Sequence, residues 1–221
     1  MSHIPEGPSV PDKVTEALPR PAVITVGEGR GFVVRGRDDV RYIVTAAHCL
    51  TSLRWEPMSD QNYKNLLGRL GAKALTIWAQ CLFIDPVSDL AVLGGPDDQR
   101  LPDQAWKYEK FIRRAIPLSI RLPEPDEQAW LFALDGKHWF SCTAEHVNHM
   151  IWIEGPTEPI RGGMSGSPVL GADGKAIGVC CISGGGADLE NHREGGPNPA
   201  LTNLPVWLWE DLTGEGRDGN A

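Results

Sequence analysis

Short apolar runs separated by turn residues make up most of this sequence. The runs are rich in Val, Ile, Leu, Trp and Phe, and turn signals such as Asp135-Gly136 and Asp173-Gly174 stand between them. This combination is typical of β-strands joined by tight turns. The pattern predicts strands over residues 22–27, 31–36, 41–45, 74–84, 90–93, 128–134, 138–145, 148–154, 168–170 and 176–182.

Two segments have a helical pattern, and the two ends of the chain differ from the rest. Residues 103–114 combine charged and aromatic residues, and residues 204–212 are apolar with Pro205 in the first turn. Residues 1–21 contain five prolines, which predict an extended arm that is either loose or packed across the domain. Residues 213–221 are polar and rich in glycine, which predicts a frayed tail.

Composition limits the partners and the compartment of the protein. The chain has 221 residues, a net charge of −8 and no dense cluster of Lys and Arg, so we expect no nucleic-acid partner. It has no apolar run long enough to span a membrane and no signal-peptide pattern at its start, so we expect no membrane partner. Five cysteines cannot all pair within the chain. Free thiols predict a reducing, cytoplasmic setting.

Three short motifs contain residues suited to nucleophilic catalysis. A serine hydroxyl needs an adjacent base, and a histidine base needs a carboxylate to orient its ring. His48, Asp89 and Ser165 are the candidates for these three roles. The motifs that hold them are Thr-Ala-Ala-His-Cys at 45–49, Asp-Leu-Ala-Val-Leu at 89–93 and Gly-Gly-Met-Ser-Gly-Ser-Pro at 162–168.

The three motifs in this order resemble those of the chymotrypsin-like (trypsin-like) serine peptidases, in particular compact bacterial members such as glutamyl endopeptidases and HtrA peptidase domains. The resemblance covers about residues 22–212. It implies an all-β fold of two six-stranded antiparallel β-barrels with the active site between them. Barrel one would take residues 22–115, barrel two residues 116–203, and a short C-terminal helix residues 204–212.

The resemblance implies a serine endopeptidase that works through an acyl-enzyme on Ser165. His48 would be the general base, Asp89 would orient it, and the N–H groups of Gly163 and Ser165 would form the oxyanion hole. No metal or organic cofactor is implied, and the partner is a polypeptide substrate bound as an extended strand. The glycines before Ser165 make the oxyanion loop pliable, so an activating protein partner is a further hypothesis.

The resemblance also places a substrate pocket beside the nucleophile. The position that carries an Asp in trypsin-type enzymes is Pro159 here, and the position that carries a His in glutamyl endopeptidases is Cys180. We therefore expect neither a basic nor an acidic preference, but an apolar or small side chain. The predicted pocket walls are Ile160, Arg161, Cys180, Cys181, Ile182 and Ser183.

Alternative assignments were weighed for several of these residues. Asp85 is a rival to Asp89, but Asp85-Pro86 predicts a turn, whereas an apolar strand follows Asp89. An α/β-hydrolase is disfavoured, because Ser167 stands where its nucleophile motif has a glycine and its triad runs in another order. Two further functions stay open, an esterase of the same fold and a binding or regulatory module that keeps the fold without cutting.

The cysteines and histidines outside the triad raise two more questions. Cys142, His146 and His149 have loosely ligand-like spacing but no fourth ligand, so no metal site is predicted. In many secreted relatives, the cysteine that follows the triad histidine pairs with an upstream cysteine. The matching place here is near Arg30 and has no cysteine, so we expect Cys49 to be a free thiol.

Overall fold

Twelve strands and one α-helix form the regular structure in the described part of the chain. The computed structural model describes residues 9–12, 14, 22–36, 40–50, 61–147, 150–181, 198–199, 201–205 and 208. The helix is α1, Pro102–Ile112. The strands are β1 Val23–Val26, β2 Gly29–Arg35, β3 Arg41–Ala46, β4 Asn62–Arg69, β5 Ile77–Asp85, β6 Leu90–Gly94, β7 Glu127–Phe132, β8 Trp139–Val147, β9 Met150–Glu154, β10 Pro168–Gly171, β11 Ala176–Val179 and β12 Asn198–Pro199.

The first six strands close into an antiparallel barrel in the order β1-β2-β3-β6-β5-β4. Closure removes free strand edges and lets alternate side chains fill the interior. Ile24, Ile43 and Leu93 belong to the apolar cluster inside this barrel. Tyr108 and Ile112 of α1 belong to the same cluster and are almost completely buried, so the helix packs on barrel one.

The second unit is a six-stranded antiparallel sheet in the order β11-β10-β7-β8-β9-β12. Its edge strands β11 and β12 come into contact, so the sheet curls on itself. Hydrogen bonds close the first barrel but not the second within the described residues. One reason is that β12 has two residues, and one of them, Pro199, has no N–H to donate. The predicted all-β, two-barrel fold is confirmed with this difference.

A third apolar cluster joins the two barrels. It includes Phe32 and Val44 of barrel one together with Trp130 and Leu170 of the second sheet. Val14, from the proline-rich N-terminal segment, is completely buried in the same cluster. At this point the N-terminal segment packs on the domain, which was one of the two alternatives open in the sequence. The remainder of residues 1–21 lies largely outside the described residues.

Each predicted strand falls on an observed strand, but β4 was not expected. Its buried residues Tyr63, Leu66 and Leu67 do not alternate regularly, because the pairing with β5 shifts register between Tyr63 and Leu67. Asn65 in this stretch has a φ of 50°, which breaks the period-two pattern that identifies a strand.

The two predicted helices have different outcomes. The helix expected over 103–114 is α1. The helix expected over 204–212 lies mostly outside the described residues, as does the whole of the predicted tail 213–221. Strand β12 was not predicted, because two residues are too short for a pattern. Where the structure is described, no helix is long and apolar enough to cross a membrane.

Candidate active site

His48 and Asp89 meet because their strands are neighbours. His48 lies in the 3₁₀ turn after β3, and Asp89 directly precedes β6. Strands β3 and β6 are paired, with Ala46 opposite Leu90, so the residues that flank this pair come together. His48 Nδ1 lies 2.6 Å from Asp89 Oδ2, and the backbone N–H of His48 donates to Asp89 Oδ1 at 2.8 Å. The carboxylate thus holds both the ring and the backbone of the histidine.

Asp89 holds the imidazole in a way that favours its protonated form. The hydrogen bond that the ring donates to Asp89 raises the pKa of His48 above its usual value. Burial of the ring opposes this rise, and the negative charge of Asp89 adds to it. The rival Asp85 is used differently. Its carboxylate accepts the backbone N–H groups of Val87 and Ser88 at 2.9 and 3.2 Å, which is a local turn motif.

Ser165 lies in the second of two consecutive tight turns. In the first turn Met164 N–H donates to Arg161 C=O at 3.1 Å, and in the second Ser167 N–H donates to Met164 C=O at 3.0 Å. The third residue of each turn is a glycine with positive φ, 88° at Gly163 and 81° at Gly166. This is the type II turn, whose third position needs the left-handed region that glycine adopts without strain.

The two turns leave two backbone donors without an acceptor. Among the described residues, neither Gly163 N–H nor Ser165 N–H donates a hydrogen bond. Both are therefore available to an oxygen atom of a ligand. A pair of backbone N–H groups beside a serine hydroxyl is the arrangement that stabilises an oxyanion.

The serine loop is fastened to barrel one beside His48. The C=O of Ser165 accepts the backbone N–H of Arg30 at 2.7 Å and the thiol of Cys49 at 3.6 Å. Since Cys49 follows His48 in the chain, this contact joins the serine loop to the histidine turn. Gly29 faces Cys49, because a Cβ at this position would lie 2.5 Å from its sulfur. The place opposite Cys49 is thus Gly29, one residue before Arg30.

Comparison with protein-family models and with curated protein sequences finds no match. Among solved structures, the chain is similar to the crystal structure of the serine endoprotease from Yersinia pestis. The TM-score is 0.54 at 18% identity, over 96% of this chain and 70% of that chain. The fold is chymotrypsin-like. In this chain His48 and Asp89 lie beside paired strands of barrel one, and the Ser165 loop contacts Cys49, the residue after His48.

The predicted pocket residues of this chymotrypsin-like chain occupy different environments. Cys180 is completely buried, and its backbone exchanges hydrogen bonds with the serine loop through Gly166 N–H and Ser167 C=O. Cys181 is 4% exposed, and its thiol lies 3.6 Å from the backbone C=O of Asp89. The backbone of Cys180 and the thiol of Cys181 therefore contact the serine loop and Asp89 from the buried side. Ile160 packs partly against the core of the second sheet.

The remaining pocket residues add little to the geometry of the site. Arg161 is exposed at the first turn of the serine loop. Ile182 and Ser183 lie outside the described residues. Of the predicted pocket residues after the nucleophile, the structure therefore describes Cys180 and Cys181 but not the two that follow them.

A cleft of about 440 Å³ lies beside the serine loop and has walls from both barrels. Leu70 and Lys73 come from barrel one, and Leu134 and Gly136 come from the turn after β7. Gly163 of the serine loop also lines the cleft. A ligand in this cleft would therefore contact the first turn of the serine loop.

One buried residue beside the site was not identified from the sequence. Arg30 is 3% exposed, and its guanidinium lies between the barrels. The available signal was an arginine between two glycines in an otherwise apolar strand. Such a residue would ordinarily be assigned to a strand edge facing water, since arginine is rarely buried without a partner.

No metal site is found among the described residues, where no group of three His, Cys, Asp or Glu side chains converges. Cys142 is buried, and burial raises the pKa of its thiol to about 12. His149, the third residue of the set weighed from the sequence, lies outside the described residues.

Proposed function

We propose that the protein is a serine endopeptidase whose nucleophile is Ser165. The observation that carries the proposal is the 2.6 Å contact between His48 Nδ1 and Asp89 Oδ2, next to a serine loop that is fastened to Cys49. A carboxylate on Nδ1 leaves Nε2 as the basic nitrogen of the ring. The chymotrypsin-like fold, shared with a serine endoprotease, supports the same assignment.

The proposed reaction proceeds in two halves. Ser165 Oγ attacks the carbonyl carbon of the scissile peptide bond while His48 Nε2 takes the hydroxyl proton. The carbonyl oxygen becomes an oxyanion that accepts the N–H groups of Gly163 and Ser165. His48 then gives the proton to the departing amine, which breaks the C–N bond and leaves an ester on Ser165. Water, deprotonated by His48, hydrolyses that ester and restores the serine.

Asp89 stabilises the charged intermediate state of His48. The imidazolium forms when the ring takes the serine proton, and the raised pKa of His48 means that this form is favoured beside Asp89. Removing the carboxylate would also let the ring adopt the other tautomer. The conformation of the Asp89 backbone and the two hydrogen bonds to His48 fix the direction of the carboxylate.

The proposed substrate is a polypeptide that lies across the cleft between the barrels. The 440 Å³ space beside Gly163 would receive the part of the substrate that follows the scissile bond. Both turns of the serine loop and both unpaired N–H groups occur in the chain by itself. We therefore propose a site that acts without an activating partner. All five cysteines are free, which supports a reducing compartment such as the cytoplasm.

The proposal is tested by labelling with a fluorophosphonate, which reacts with an activated serine. We expect the wild type and Ser119→Ala, an exposed serine used as the matched control, to label at the same rate. Ser165→Ala and His48→Ala should not label, and circular dichroism should show that both variants are folded. A folded wild type that does not label would overturn the proposal and favour a binding module. Cleavage of a denatured protein, followed by mass spectrometry, separates a peptidase from an esterase.

A further inference from the structure

Arg30 connects the serine loop to barrel one through its backbone. Its N–H donates to Ser165 C=O at 2.7 Å. Its C=O accepts the hydroxyl of Thr45 at 2.6 Å. A Cβ on Gly166 would lie 1.8 Å from the same carbonyl oxygen. The backbone of Arg30 is therefore in contact with Ser165 and with Gly166, the residue that follows it.

The side chain of Arg30 crosses to the second sheet and binds the end of β7. Nη1 donates to Phe132 C=O at 2.9 Å, and Nη2 donates to Ala133 C=O at 3.0 Å and Leu134 C=O at 2.8 Å. Nη1 also lies 3.4 Å from Ser167 Oγ. Three successive carbonyls are thus held by one planar group, a geometry that the rigid fork of arginine provides and a lysine head does not.

The charge of this buried group is balanced by carbonyl dipoles. Among the described residues, no carboxylate forms an ion pair with Arg30, and Asp135 acts on it only at longer range. Burying a charge without an ionic partner opposes folding, and an apolar side chain would fill the same space more favourably. A guanidinium at this position therefore points to a geometric role, the fixing of the segment that it binds.

The segment that Arg30 binds packs on the oxyanion turn. Leu134 Cδ1 lies 3.5 Å from the place that a Cβ on Gly163 would take. Leu134 is half-exposed. The hydrogen bond from Arg30 holds its carbonyl, and the backbone hydrogen bonds of Ala133 with His138 and Gly136 hold the residue before it. A shift of this segment would give the Gly163 turn room to reorient.

We propose that Arg30 is a positioning residue for the oxyanion hole, which it maintains by holding Leu134 against Gly163. The inference rests on the proposed peptidase function for its kinetic consequence but not for its structural one. Without the guanidinium, the Gly163 N–H is no longer fixed towards the site, so the transition state is stabilised less while substrate binding is unchanged. Loss of the guanidinium should therefore lower kcat and leave KM unchanged.

The experiment compares three variants with a matched control. Arg30→Met removes the fork, Arg30→Lys keeps the charge, and Leu134→Ala removes the contact with Gly163 at a half-exposed position where folding is not at risk. The control is Arg41→Met, because Arg41 also donates to two carbonyls, Ile112 and Ala115 at 3.1 and 3.0 Å, on the far side of barrel one.

The readouts are the fluorophosphonate labelling rate, kcat and KM on a peptide ester, and the backbone amide resonance of Gly163 in a ¹⁵N-labelled sample. We expect Arg30→Met to lower the labelling rate and kcat about 10²-fold, the loss typical of one oxyanion donor, with KM within about twofold. Arg30→Lys should not restore the rate, and Leu134→Ala should lower it about tenfold. The Gly163 resonance should shift or broaden in all three, and not in Arg41→Met.

Each outcome separates the two proposals. Labelling of Leu134→Ala and Arg30→Lys at the wild-type rate, with an unchanged Gly163 resonance, would overturn the role of Arg30 and leave the peptidase proposal intact. A wild type that does not label would overturn the peptidase proposal. In that case the Gly163 resonance still decides whether Arg30 holds the turn. Full rescue by Arg30→Lys would also contradict the inference, because charge alone would then suffice.

Discussion

At the scale of single residues, Asp89 has an energetically unfavourable backbone conformation and a carboxylate that accepts two hydrogen bonds. Its φ of 52° lies in the left-handed region, which costs a residue with a Cβ about 1–3 kcal/mol. Its carboxylate accepts two hydrogen bonds from His48, and its C=O accepts the N–H of Ala47 at 3.0 Å. Asp and Asn tolerate this conformation better than other side chains, which limits the residues that fit here.

Asp89→Asn should separate the electrostatic role of Asp89 from its backbone role. Asn fits the same conformation, but it loses the charge, so we expect the pKa of His48 to fall from its raised value. The measurement is an NMR titration of the His48 ring protons, with Asp85→Asn as the control. The interaction stabilises the folded state fully below the ordinary histidine pKa and is lost as pH rises through the raised one. The stability difference between wild type and Asp89→Asn should follow this course, and an unchanged His48 titration would contradict the assignment.

Single residues also show how far the sequence determines the site. The choice of Asp89 over Asp85 could be made from the sequence, because a turn dipeptide and a strand start are local signals. Arg30 could not be identified, because its partners are carbonyls about 100 residues away. Backbone carbonyls exist in every segment and leave no residue-type signal. The same holds for Cys181, whose contact with Asp89 depends on how the two barrels pack.

At the scale of elements, one arginine ties three segments of the second sheet together. Arg121 pairs with both oxygens of Glu127 at the start of β7. Its Nε also donates to Asp173, in the turn between β10 and β11, at 3.0 Å. Gly171 makes room for this group, since a Cβ there would lie 2.1 Å from the guanidinium. The ion pairs of Arg121 with Glu127 and Asp173 therefore depend on a glycine as well as on three charged side chains.

Arg121→Met should lower the free energy of unfolding at pH 7 by about 1–3 kcal/mol, because it leaves a largely buried Glu127 unpaired. The control is Arg100→Met, whose pair with Asp97 is exposed and should contribute less than about 1 kcal/mol. Chemical denaturation measures both.

The effect of Arg121→Met should also depend on pH. Burial of Asp173 opposes its ionisation, but the hydrogen bonds from Arg121 and from the backbone of Lys175, together with the positive charges of both residues, lower the pKa of Asp173. The contribution of the Arg121–Asp173 pair to folding stability is then present above the ordinary Asp pKa. It is lost as the pH falls through the lowered pKa of Asp173. If the difference in unfolding free energy between wild type and Arg121→Met grew as the pH fell, it would contradict this role of Arg121.

The elements themselves followed from the hydrophobic pattern where that pattern was regular. Strand β6 is a continuous apolar run, and β2 contains the apolar run Phe32–Val34; both strands were located to within two residues. Strand β4 was missed because its register shift disrupts the alternation. The helix α1 was predicted from its charged and aromatic residues alone, and the face that it buries on barrel one, with Tyr108 and Ile112, became visible only in the structure.

At the scale of the whole molecule, the five cysteines share one property that the sequence did not settle. All five are free and buried, and burial raises the pKa of Cys49 and Cys81 to about 11 and of Cys142 and Cys180 to about 12. An odd number of cysteines by itself excludes only that all of them form disulfides within the chain. Which cysteines face each other depends on strand register and on the packing of the barrels.

We expect the native protein to resist thiol reagents. At pH 8 a buried thiol with a raised pKa carries almost no thiolate, so reaction with an aromatic disulfide reagent should wait for unfolding. The prediction is fewer than one reactive thiol per native chain and five in guanidinium chloride, read by absorbance. Rapid reaction of one or more thiols in the native state, without loss of structure, would contradict the burial.

The apolar cluster that joins the barrels has a consequence for biosynthesis. Phe32 and Val44 are made early, but their partner Leu170 and the β11 strand emerge about 85 residues after β6 is complete. At translation rates of about 5–20 residues per second, this interval lasts roughly 4–17 s. During this interval, the completed first barrel exposes the apolar surface that the second sheet later covers. A nascent chain stalled between the barrels should therefore recruit a ribosome-associated chaperone, and release it once the second sheet closes over that face.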